Sequence, residues 1–138
     1  MQRSGADTNI MRRDTLDHEG IVELVDTFYQ QVRKSETLGK IFETHIGTED
    51  HTWKGHLSTM YSFWSSVMLR TGSYHGNPMQ THLKIGYFPP EFFDEWLCLF
   101  KTTSDSIFID SISKEFYNRA EMIATTLKAR LYANSNLE

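Results

Sequence analysis

Apolar residues return at intervals of three and four in several separate stretches of this 138-residue chain, and nowhere do they alternate residue by residue for long. Such an interval lays side chains along one face of an α-helix, whereas a half-buried strand needs an interval of two. The chain is therefore read as all-α. The first stripe, Ile21, Leu24, Val25, Phe28, Tyr29 and Val32, follows Asp17, an N-cap residue type, and Glu19, an anion in the first turn. A second helix spans about 49–69, with Trp53, His56, Leu57, Met60, Phe63, Trp64 and Val67 on one face. A third opens after Pro89-Pro90 and runs to about 108, with Phe93, Trp96, Leu97, Phe100 and Ile107 inward. A fourth spans about 111–132, with Ile112, Phe116, Ala120, Ile123, Leu127 and Leu131 in a stripe.

The punctuation between the stripes is equally informative. Ser35 to Phe42 contains Gly39 and reads as a single turn or a short 3₁₀ connector, with a polar loop from Glu43 to Asp50. Gly72, Gly76 and Asn77-Pro78 make an irregular loop after the second long helix. A helix starting at Pro78 can run only to about Ile85, because Gly86 and then Pro89-Pro90 stop it. Two turns are too few to be stable alone, so something must hold this piece, and a ligand bond from His82 would do so. Residues 1–16 lack periodicity and read as a flexible N-terminal extension, residues 17–132 as one domain, and residues 133–138 as a frayed tail.

A net charge of -4 without a Lys/Arg cluster leaves no footprint for nucleic acid or anionic lipid. The polar N-terminus and the absence of a long apolar run speak against a signal peptide or a membrane span. The single cysteine, Cys98, admits no internal disulfide and no thiolate zinc site, which makes a cytoplasmic setting the expectation. No His-Glu-x-x-His helix, repeated Glu-x-x-His pair, Gly-x-Ser-x-Gly elbow, P-loop or dinucleotide fingerprint occurs.

Haem chemistry needs less: one axial histidine, an apolar slot with aromatic walls, and a polar group or two on the open side. His82 supplies the first; Phe42, Phe63, Trp64 and either Phe92 or Phe93 can wall the slot. Tyr29, His56 and Trp96 are the candidate polar groups, although a histidine within an apolar stripe, taken alone, reads as a hydrogen-bonded core residue.

The block Phe63-Trp64-Ser65-Ser66, then Gly72-Ser73-Tyr74-His75-Gly76-Asn77-Pro78-Met79, then His82-Leu83, continued by Phe93, Trp96, Leu97 and Phe100, resembles the truncated haemoglobins of group III. The resemblance covers about Leu16 to Leu131 in order, and the chain lacks the paired-glycine motifs of the other two groups, as group III does. It implies a two-over-two helical sandwich around haem b (iron protoporphyrin IX). By the same resemblance His82 is the proximal iron ligand, and Tyr29, His56 and Trp96 surround the distal ligand, with His56 as a gate. Phe42 would pack on the haem face, and Met60, Phe63 and Trp64 would form the distal-helix wall. Lys40, Arg70 or Lys84 would meet the propionates, with no choice among them.

The implied function is reversible binding of oxygen, nitric oxide, carbon monoxide or cyanide, with slow oxygen release and an unidentified reductase as partner. The alternative is an enzyme for nitric oxide dioxygenation or peroxide turnover; no acidic residue precedes His82 closely, which disfavours the peroxidase form. A haem-free helical adaptor is the third reading.

Overall fold

The computed structural model describes residues 12–74, 76 and 91–136, with side chains described to residue 129. Helix α1 spans His18–Lys34, and the Asp17 carboxylate caps it by accepting from the Gly20 backbone N–H at 2.9 Å. Ser35 serves two helices at once. Its backbone N–H closes α1 on the Gln31 and Val32 carbonyls, and its Oγ accepts from the Leu38 N–H at 3.1 Å to open the next helix. This sharp corner is held to a later helix by Glu95, whose carboxylate accepts from Ser35 Oγ at 2.8 Å and from Thr37 Oγ1 at 2.5 Å.

Helix α2 spans Glu36–Ile46, which corrects the reading of this region as one turn followed by a polar loop. Gly39 does not break the helix. A Cβ there would stand 3.0 Å from the Arg33 carbonyl oxygen and 3.2 Å from that of Val32, so the glycine lets α2 turn back tightly against the end of α1. The helix ends at Gly47, whose φ of 98° favours glycine.

Helix α3 spans Asp50–Leu69, α4 Glu91–Ile107 and α5 Asp110–Asn136. The last continues past its expected end at Tyr132, since Ala133, Asn134 and Ser135 include neither Gly nor Pro to stop it.

Two helix pairs, α1 with α3 and α4 with α5, meet where α1 crosses α4, and α2 leans on α1, α3 and α4. The result is a two-over-two sandwich. Its core is a pile of rings: Phe100, 1% exposed, stacks against Trp64 at 5.2 Å and Trp96 at 5.8 Å, with Phe28 edge-on at 5.4 Å. Phe108 stacks on Phe116 at 5.0 Å beneath them. Among the described residues no strand forms, and no helix is long and apolar enough to cross a membrane.

The expected flexible extension is fastened from residue 12 onward. The Arg13 N–H donates to the Ile107 carbonyl at 2.7 Å, and the Ile109 N–H donates back to the Arg13 carbonyl at 2.9 Å. Arg12 reaches the Asp105 carbonyl and the Asp110 carboxylate, each at 3.0 Å, and Arg13 pairs with Glu23 at 2.7 Å. Residues 1–11 and the expected helix from Pro78 to Ile85, with His82 on it, lie outside the described residues.

Candidate functional site in an aromatic cleft

Every helix contributes to one cavity of about 340 Å³. That size lies within the range of small-molecule and cofactor sites. Helix α1 supplies Phe28 and Tyr29, and α2 supplies Leu38, Ile41, Phe42, His45 and Ile46. Helix α3 adds His56, Thr59, Met60, Phe63 and Trp64; α4 adds Phe92, Phe93, Trp96 and Phe100; and α5 adds Ile123 and Leu127. The structure thus brings together Tyr29, Phe42, His56, Met60, Phe63, Trp64, Phe93 and Trp96, the site residues expected from sequence other than His82. No Asp, Glu, Lys or Arg is among the described lining residues. Nor do the described residues form any group of three or more His, Cys, Asp or Glu that would hold a bare metal ion.

Tyr29, His56 and Trp96, from three different helices, are among the polar side chains in the lining. Tyr29 is 7% exposed, and burial pushes its hydroxyl well above the ordinary phenol range, so it is a protonated donor. Its ring stands edge-on to His56 at 4.9 Å and to Phe42 at 5.8 Å. Trp96 projects from α4 with its ring 5.9 Å from that of Phe28. Among the described residues neither the Tyr29 hydroxyl nor the Trp96 indole N–H has a hydrogen-bond partner. Both residues line the cavity, so two donors without a bond to a described residue suit a ligand that accepts hydrogen bonds.

Tyr74 also lines the cleft. Its ring meets Phe63 edge-on at 5.2 Å, and its backbone N–H donates to Ser66 Oγ at 2.8 Å. The described lining residues that flank His82 in the chain are Tyr74 and Phe92. Leu38, Ile41 and Ile46 line the cleft without having been singled out by sequence. Their spacing with Phe42 is a helical stripe, and Gly39 hid it.

A flat, largely apolar group carrying its own metal fits this donor set: aromatic walls, no Asp, Glu, Lys or Arg among the described lining residues, and two donors, Tyr29 and Trp96, in the wall. The helical sandwich and its cleft together define a globin of the truncated class. No family model matches the chain. A curated relative, group 3 truncated hemoglobin ctb of Campylobacter jejuni, is 38% identical over 122 residues, covering 88% of this chain and 96% of that protein. The crystal structure of a group III truncated hemoglobin from Campylobacter jejuni superposes with a TM-score of 0.86 at 38% identity, over 88% of this chain and 96% of the other. The chain belongs to the group III truncated haemoglobins.

Proposed function

We infer that this chain holds haem b in the cleft, with His82 as the axial ligand, and reversibly binds oxygen and other diatomic ligands, releasing oxygen slowly. The observation that supports it most is the pair of open donors, Tyr29 and Trp96, in a largely apolar cavity. When bound, haem supplies a ferrous iron at which a diatomic molecule can be held reversibly. The chain's own residues do the rest. Phe42, Met60, Phe63, Trp64 and Phe93 exclude water and press on a flat group from several sides. Tyr29 and Trp96 donate toward the polarised ligand, and His56, packed against Tyr29, restricts its passage. A separate reductase keeps the iron ferrous.

A hydrogen bond to a charge-bearing acceptor contributes about 1.5–3 kcal/mol, or roughly tenfold or more in dissociation rate. Stopped-flow displacement of oxygen from Trp96→Phe should show release faster by about that factor. An unchanged rate would take Trp96 out of the ligand's surroundings.

A further inference from the structure

Behind the cavity wall, and not part of it, lies Trp53. The residue sits in the first turn of α3, is 2% exposed and has His56 three residues later on the same helical face. Its ring meets that of His56 edge-on, with centroids 5.8 Å apart at 87°, and that of Tyr29 at 6.0 Å and 58°. With the contact between Tyr29 and His56 at 4.9 Å and 90°, three rings close a triangle in which each touches the other two. The indole is fixed from outside on two sides. Its Nε1–H donates to the Gly47 carbonyl at 2.7 Å, at the end of α2, and the Arg33 guanidinium lies 4.6 Å above the ring centroid. Arg33 is further aimed at the Thr48 carbonyl, 3.5 Å away.

We propose that Trp53 is a positioning residue that holds the His56 ring inward against Tyr29, and so sets how readily a small ligand passes His56. The proposal rests on the haem-binding reading above for its kinetic consequence, though not for the ring geometry. Leaving the cavity would cost His56 its edge contact with Trp53, besides its contacts with Tyr29 and Phe42. Aromatic pairs of this geometry bias such an equilibrium measurably. Trp53 itself cannot move to follow, because Gly47 and Arg33 pin it to the corner between α2 and α3. Gas entry would then be tuned by a residue that never touches the gas.

The test uses Trp53→Leu and Trp53→Phe in the full chain as purified, reduced under carbon monoxide. In two-dimensional NMR, the carbon-bound imidazole proton signals of His56 should move in Trp53→Leu and stay close to the parent in Trp53→Phe, which keeps a ring. Carbon monoxide association after flash photolysis should be faster in Trp53→Leu by about three- to tenfold. The acceleration should be absent when the same change is made in a His56→Ala background. Equal acceleration in both backgrounds would mean that Trp53 acts by loosening the fold, and unmoved His56 signals would mean that it holds nothing; either result overturns the proposal. If the chain carries no haem, the functional reading fails, while the His56 signals still decide whether Trp53 positions the ring.

Discussion

Replacing Tyr29 with Phe should have opposite effects on folding and on ligand retention. The ring of Tyr29 meets Phe28 at 5.0 Å, Phe42 at 5.8 Å, Trp53 at 6.0 Å and His56 at 4.9 Å, and Phe preserves all four contacts. Only the hydroxyl is lost; burial desolvates it at the cavity wall, and it forms no hydrogen bond with another described residue. A hydroxyl buried in that way costs about 1–3 kcal/mol, so its removal should stabilise the ligand-free protein by about 1 kcal/mol. For a domain of this size that corresponds to about 3 °C in Tm. On the proposed function the same hydroxyl would donate to bound oxygen, and its removal should speed release about tenfold or more. Thermal unfolding of the deoxy protein under anaerobic conditions reads the first effect, and stopped-flow oxygen displacement reads the second. A Tm lowered by several degrees together with unchanged oxygen release would refute the reasoning, because it would mean that the hydroxyl is bonded within the protein.

Other consequences concern the scaffold. Tyr61 donates to Asp26 at 2.5 Å, and burial together with that bond pushes its pKa up to about 12 in the folded chain, above the ordinary 10.0. A raised pKa gives stability that is complete below the unfolded value and is lost as pH climbs through the folded one. The parent should therefore weaken between pH 10 and 12, and urea midpoints of Tyr61→Phe should fall less steeply over that window. Ser113→Ala removes a hydroxyl that donates to Asp105 at 2.5 Å and lies 2.6 Å from the buried Ser104 hydroxyl. It should cost about 1–3 kcal/mol in denaturant unfolding, and adding Ser104→Ala should cost less than the two single changes summed. Gly20→Ala would place a Cβ 2.9 Å from Cε1 of Phe108, a fully buried ring stacked on Phe116, and should destabilise by about 1–3 kcal/mol; a Tm equal to the parent's would show that Phe108 has room to move.

The four long helices were legible because their stripes and stops are local. Asp17 caps α1 where its residue type said it would, and Pro89-Pro90 precedes α4, which starts at Glu91. Helix α2 was not legible. Gly39 reads as a breaker in the chain alone, and its fit against the carbonyls at the end of α1 exists only once both helices are placed. Missing α2 meant missing Leu38, Ile41 and Ile46 in the cleft. The fastening of Arg12 and Arg13 was equally hidden, since their partners Asp105, Ile107, Ile109 and Asp110 lie more than ninety residues away in the chain. The cavity residues emerged from sequence because Tyr29, His56, Met60, Phe63, Trp64, Phe93 and Trp96 ride on well-marked stripes, and the family resemblance assigned them a common centre. Trp53 shares the stripe of His56, but periodicity cannot separate a ring that lines a cavity from one that braces the lining.

The most direct measurement is the visible absorption spectrum of the chain titrated with haemin, beside the same titration of His82→Ala. The parent should develop a sharp Soret band that saturates at one haem per chain. His82→Ala should lose or displace that band and recover it in part when free imidazole is added. A His82→Ala spectrum identical to the parent's in position and sharpness would contradict ligation through His82, and a parent that develops no Soret band would contradict haem binding altogether.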